Sequence, residues 1–301
     1  MRRRNDILWK GILERVFDDF LRFVYPTADK EFDMKRGFGF LDKELEGMYP
    51  EPEKGADTRF VDKLVKVFRL DGKEEWMLVH IEVQGETKAV DRPLFGERMF
   101  RYFYRIYDRY EMPVTAIAIF TGTDGKRMPG KFEYECMRTR LTYEFNTLCL
   151  LDYPDESLKN NDNPFALVLL AAKQMLLNGR NLDEQLLKGK LFVFKELHKR
   201  GLIEKQKLRA IFTFLNNYVV FDNPEVNRTF INEAEKITGK KKNMDIFEQV
   251  AELRAEERTR EIVKNLLKQT DLTMEKIASV ANVSIDFVKE VKKRLRARKK
   301  V

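Results

Sequence analysis

The stretch that most constrains the fold is Arg59 to Gln84, where hydrophobic residues recur at every second position on both sides of an Asp71-Gly72 turn signal. In the first arm, RFVDKLVKVFRL, Val61, Val65 and Val67 fall on one face, and Phe60, Leu64 and Phe68 share the other with Asp62. In the second arm, WMLVHIEVQ, Met77, Val79, Ile81 and Val83 alternate with His80, Glu82 and Gln84. A period of two is strand spacing, and two such arms about a Gly-containing turn predict an antiparallel hairpin. With the bend near Gly72-Lys73, Asp62 and Glu82 come nearly opposite each other. Side chains that face one another across an antiparallel pair have Cβ atoms ~4.5 to 5.5 Å apart, and like charges there are destabilising. A hard divalent cation with oxygen ligands removes that conflict. The plainer alternative is a solvated hairpin face whose polar residues reflect ordinary alternation.

The elements around the hairpin read as an α/β order. Trp9, Leu13, Val16, Phe17, Phe20 and Val24 fall at helical intervals and stop before Pro26, predicting one amphipathic helix that covers the sheet. Residues 26–58 read as a loop-rich connection with a short turn of helix at LDKELEG. Leu94 to Tyr110 is a predicted helix with Phe95, Met99, Tyr102, Phe103, Ile106 and Tyr110 on its buried side. Arg98, Arg101, Arg105 and Arg109 form a second stripe, which in most helices is a solvated face. Val114 to Thr121 is an unbroken apolar run expected of a strand buried on both faces, and Leu141 to Asp152 supplies a further strand.

From Asn163 the strands stop. Asn163-Pro164 is a cap and first-turn start, and helices are predicted at 182–200, 204–220 and 224–238. Asp245 to Gln269 reads as a connector helix with a sparse seam of Phe247, Val250, Leu253, Ile262, Leu266 and Leu267. Beyond it, EKIASVANVSIDFVKEV places Ile277, Ala278, a Ser284 cap, Phe287, Val288 and Val291 as in a helix-turn-helix unit. The expected organisation is a core at 1–155, a helical subdomain at 156–240, a connector at 241–270 and a basic tail at 271–301.

Charge points the same way. The 301 residues carry 57 Lys and Arg against 49 Asp and Glu, a net charge of +8. From Asp286 onward there are eight basic residues (Lys289, Lys292, Lys293, Arg294, Arg296, Arg298, Lys299 and Lys300) and two acidic ones, a local balance of +6. That suits a nucleic-acid partner, with Lys292, Lys293, Arg294 and Arg296 as candidate DNA contacts; the competing reading is a solubilising tail or a hairpin packed on a neighbour. Two cysteines make no disulfide framework, and with two histidines there is no Cys/His zinc pattern, which fits a reducing cytoplasm. Glu14, Asp18 and Asp19 interrupt the apolar positions of the first helix, so it lacks a signal-peptide core, and no apolar run approaches the ~20 residues that span a bilayer.

An Asp on one strand and Glu-x-Gln on the next, Asp62 then Glu82 and Gln84, resembles the metal-binding motif of the PD-(D/E)XK nuclease superfamily. With VDKLVKV, LVHIEVQGE, a helix containing Arg98-Met99-x-x-Tyr102 and the strand PVTAIAIFTG, residues 6–155 resemble the recombination-promoting nuclease family, named for its likeness to YhgA-type transposases. The resemblance implies a restriction-endonuclease-like α/β core, with a mixed sheet flanked by helices, followed by an all-helical C-terminal half. It implies Mg²⁺ or Mn²⁺ held by Asp62 and Glu82, a water oriented by Gln84, and Arg98 and Tyr102 contacting phosphate or the metal carboxylates. The implied activity is hydrolysis of DNA phosphodiester bonds, with DNA as partner, a homo-oligomer as an allowed assembly and no membrane. Gln84 stands where many superfamily members have Lys, and Val61 stands before Asp62 where the superfamily's Pro would be. For the acidic residue that many members add from the first helix, Glu14, Asp18 and Asp19 compete. Two other readings are a nuclease-fold protein without turnover that binds DNA, and an interaction protein of the toxin–antitoxin kind docking through its helical half. His80, on the Glu82 face, reads as a partnered structural side chain before a catalytic one.

Overall fold

The computed structural model describes residues 2–41, 61–72, 74–82, 92–178, 183–200, 203–238, 244–270 and 272–297. Gln84, Arg298, Lys299, Lys300 and all but the first residue of LDKELEG lie outside the described residues, as do the side chains of Asp62, His80, Glu82, Arg294 and Arg296. The chain enters through α1 (Arg2–Arg15), α2 (Phe17–Val24) and α3 (Ala28–Glu31) to a short strand, β1 (Gly39–Phe40). The single helix expected before Pro26 is thus two, because the backbone leaves helical geometry at Val16 (φ −128°, ψ 31°).

The predicted hairpin forms from β2 (Val61–Phe68) and β3 (Glu74–Glu82). Gly72 adopts φ +84° in the bend and donates its N–H to the Arg69 carbonyl at 3.0 Å, a conformation that a side chain would strain. The register pairs Phe68 with Glu74 and Val61 with Ile81, so the bend is centred on Asp71 and Asp62 faces His80, not Glu82. A shift of about one residue in the centre of a bend moves the opposing partner by two. Two residues are one full strand period, so Asp62 and Glu82 keep a common face as diagonal neighbours.

From β3 the chain crosses by α4 (Arg92–Tyr110) to β4 (Val114–Phe120), which lies parallel to β3, the arrangement that demands such a crossover. β5 (Lys131–Cys136) and β6 (Thr139–Glu144) form a separate antiparallel pair, and β7 (Asn146–Cys149) returns parallel to β4. Among the described residues the main sheet is mixed, in the order β1-β2-β3-β4-β7. The single strand expected over Leu141 to Asp152 is corrected to β6 and β7. Phe145 breaks it: its N–H donates to the Gly130 carbonyl at 3.0 Å, its ring packs 6.0 Å from Phe95, and the strand pairing changes sheets there.

Both faces of the sheet are covered. On one, Leu64 packs with Ile106 and Tyr102 of α4, and Phe95 and Met99 pack with Ala116, Ala118 and Phe120. On the other, Val65, Val67, Ile117 and Ile119 are buried by alternation. From Asp155 every described element is a helix: α5 (Asp155–Lys159), α6 (Pro164–Asn178), α7 (Asp183–Lys199), α8 (Lys205–Tyr218), α9 (Pro224–Thr238), α10 (Met244–Gln269), α11 (Met274–Val280) and α12 (Ile285–Ala297). The Asn163 side chain caps α6 by accepting from the Phe165 N–H at 2.8 Å, with Pro164 in the first turn as read from the sequence. Residues 165–172 of α6 are all buried, the mark of an interior helix. α1 covers more than the sheet: Trp9 meets Phe214 and Tyr218 of α8 edge-on at 5.4 and 6.1 Å.

The chain divides into two compact units, Met1–Asp222 and Asn223–Val301. Helices α5 to α8 fall in the first unit with the sheet, and α9 falls in the second with α10 to α12. Among the described residues no helix is long and apolar enough to cross a membrane.

Candidate functional site

Asp62 lies one residue into β2 and Glu82 ends β3, so the two residues sit at the same end of the hairpin and, by register, on the same face. That face is the one α4 covers, since Leu64, two residues beyond Asp62, packs against Ile106. His80 aligns with Ala118 and Glu82 with Phe120 on β4, which places Glu82 at the carboxyl end of a parallel pair, where open α/β sheets bind ligands. Diagonal neighbours in a sheet have Cα atoms ~7 to 8 Å apart, within reach of a shared cation. The donor types suit a hard divalent ion. Among the described residues no group of three His, Cys, Asp or Glu side chains gathers to hold a metal.

Two residues of α4 approach this end of the sheet. The Arg98 guanidinium lies 5.2 Å from the centre of the Phe95 ring, which in turn meets Phe120, the register partner of Glu82, at 5.3 Å. Tyr102, one turn on, is half-buried against Leu64 and Ile106. Arg101, Arg105 and Arg109 point to solvent, and Arg101 is paired with Glu97.

The first-helix carboxylates are committed elsewhere. Glu14 accepts from the buried Lys63 ammonium at 2.6 Å, and Lys63 alternates with Asp62, so Glu14 serves the opposite face of β2. Asp18 and Asp19 both accept from Lys207 of α8 at 2.7 Å. Burial raises the Asp18 pKa, but hydrogen bonds from Lys207 and Arg22 outweigh it and hold the carboxyl below its usual range. Asp19 is pushed up by burial in spite of its bond from Lys207, with the adjacent Asp18 charge adding to the rise. Glu14 thus ties α1 to β2, and Asp18 and Asp19 tie α2 to α8.

The second candidate surface is the α11–turn–α12 pair at the C-terminal end, where the Ser284 cap expected from the sequence forms. Thr273 caps α11 by accepting from the Lys276 N–H at 3.3 Å, and Ser284 caps α12 by accepting from the Phe287 N–H at 3.2 Å. Asn282 takes φ +52°, and the Val283 N–H donates to the Ala278 carbonyl at 2.9 Å, the bonding of a left-handed helix stop. Of the seam expected on α10, the side chains of Phe247, Val250 and Leu253 lie outside the described residues, Leu266 and Leu267 pack against the core, and Ile262 is corrected to Val263, which is fully buried whereas Ile262 is 52% exposed. α10 is therefore a packed member of this unit as well as a connector. Lys289 enters the sequence reading only through the +6 charge balance, and Ile285 not at all; a helical period run back from Lys292 and Lys293 reaches both.

Compared with protein-family models, curated proteins and solved structures, the chain matches none.

Proposed function

We propose that this protein is a metal-dependent DNA endonuclease with a restriction-endonuclease-like core, acting in the cytoplasm. The observation that carries the reading is the coincidence of Asp62 and Glu82 on one face, at one end of the β2–β3 hairpin, beneath the helix that bears Arg98 and Tyr102. Asp62 and Glu82 would hold Mg²⁺ or Mn²⁺, which when bound polarises the scissile phosphate and lowers the pKa of a water. Arg98 would orient a phosphate by its planar fork, and Tyr102 would fix the α4 face against the strand that carries Asp62. Gln84 would orient the water through its amide without supplying the positive charge of a lysine.

The test is incubation with supercoiled plasmid in Mg²⁺ or Mn²⁺ against EDTA. Cleavage should need the metal and disappear in Asp62→Asn and Glu82→Gln proteins that remain folded. A wild-type rate in Asp62→Asn would remove the assignment. The second reading, a nuclease fold that binds DNA without turnover, is favoured by Gln84 standing in the lysine position. It predicts metal-independent binding without cleavage in the wild type, with cleavage appearing in Gln84→Lys.

A further inference from the structure

The C-terminal unit completes what the sequence shows only as a two-helix pattern. A helix-turn-helix pair cannot bury both apolar faces alone; here the second half of α10 supplies the third wall, with Val263 joining Ile277, Ala278, Val288 and Val291 in one core. The caps at Thr273 and Ser284 and the Asn282 stop hold α11 and α12 at a defined angle on it. With its inner side so committed, α12 presents Ile285, Lys289, Lys292 and Lys293, spaced as i, i+4, i+7 and i+8, along one outward stripe.

The charges on that stripe are available. Glu290, the acidic residue nearest the middle of α12, accepts from Arg260 of α10 at 3.4 Å. Lys289 meets Asp286 at 3.0 Å, an exposed pair of the kind that contributes little and exchanges readily. Lys292 and Lys293 have no carboxylate partner among the described residues, and the three lysines with Met274 line one open depression. Ammonium groups gathered about one depression repel each other, and an anion relieves that repulsion.

We propose that α12 is the recognition helix of a duplex-DNA-binding module, with Ile285 and Lys289 at base edges in the major groove and Lys292 and Lys293 on flanking phosphates. The B-form major groove, ~12 Å wide, admits an α-helix with its side chains, whereas the A-form groove of duplex RNA is too narrow. Single strands are held chiefly by stacking on aromatic rings, and the stripe has none. A lipid surface needs an apolar helix face to enter it, and that of α12 is spent on α10 and α11. The placement of an apolar residue and a cation at the start of the helix follows the geometry of such pairs, whose first residues reach the bases. The module rests on the DNA partner of the preceding reading but needs neither metal nor cleavage.

The experiment measures binding of the full-length protein to a short duplex in EDTA at several salt concentrations. Replacing Lys289, Lys292 and Lys293 together by Gln should weaken affinity by roughly tenfold or more and flatten the log–log salt dependence by about 0.9 for each phosphate no longer neutralised. Ile285→Ala should weaken binding with an unchanged slope, because an apolar side chain displaces no counterions. Lys236→Gln, an exposed lysine on α9 paired with Glu233, should change neither. Far-ultraviolet circular dichroism checks that each variant is folded. Wild-type affinity and slope in the triple variant would overturn the proposal, as would single-stranded DNA, duplex RNA or anionic vesicles competing as well as the duplex. Because EDTA removes catalysis, loss of cleavage in Asp62→Asn with binding intact speaks only to the nuclease reading, and loss of binding with cleavage intact speaks only to this one.

Discussion

Lys190 carries its ammonium into the core of the larger unit, where it is fully buried, and donates to the Val219 carbonyl at 2.8 Å and to the Asn216 side chain at 3.1 Å. These acceptors lie at the C-terminal end of α8, where the helix dipole favours a cation. Burial still dominates and lowers the pKa to about 7. The folded value lies below the unfolded one, so the cost of burying the charge is fully present below pH 7 and disappears as pH rises toward the ordinary lysine range. Stability should therefore rise between pH 7 and 10. In Lys190→Met, of similar length, that part of the rise should vanish, and the variant should be the more stable at pH 7; denaturant melts of both proteins across this range give the comparison. Parallel pH profiles would show that Lys190 is charged to the same extent folded and unfolded.

At the scale of elements, the position of α4 decides whether Arg98 and Tyr102 reach the candidate metal centre. Gly96 sets how closely α4 approaches β5, since a Cβ there would stand 2.5 Å from the Lys131 carbonyl oxygen, a backbone atom that cannot swing aside. Stacking of Phe100 on Phe132 at 5.3 Å and a tilted contact of Phe103 with Tyr143 at 4.9 Å complete the packing between α4 and the β5–β6 pair. Gly96→Ala should push α4 off β5 at a cost of about 1 to 3 kcal/mol, as overpacking does elsewhere. Because the helix carries Arg98, DNA cleavage should fall in the same variant while salt-dependent duplex binding through α12 is retained. A Gly96→Ala protein with unchanged melting temperature would mean that β5 yields to the methyl group.

Across the whole molecule, the two compact units carry separate cores: the sheet and its flanking helices in Met1–Asp222, and the Val263 cluster in the remainder. Val263→Ala removes two methyl groups from the smaller core and should destabilise α10 to α12 by about 1 to 3 kcal/mol. Hydrogen exchange should then show faster exchange across 244–297, with protection of β2, β4 and α6 unchanged. Equal loss of protection in both units would show that they unfold as one.

What the sequence determined by itself was local. Alternation in VDKLVKVF placed β2, the Asp-Gly pair placed the bend, and Asn163-Pro164 and Ser284 placed helix starts, because each acts through bonds or torsions a few residues apart. The common face of Asp62 and Glu82 was also legible, since a period of two survives any even shift of register. The partner of Asp62 was not: His80 stands there because the loop closes about Asp71, and loop geometry answers to what the strands pack against. Nor could pattern show that Phe145 sends the chain from one sheet to another, that Lys63 draws Glu14 to the far face, or that Val263 and not Ile262 turns inward. Each depends on contacts between residues distant in sequence, whose free energy exists only once the whole core has assembled.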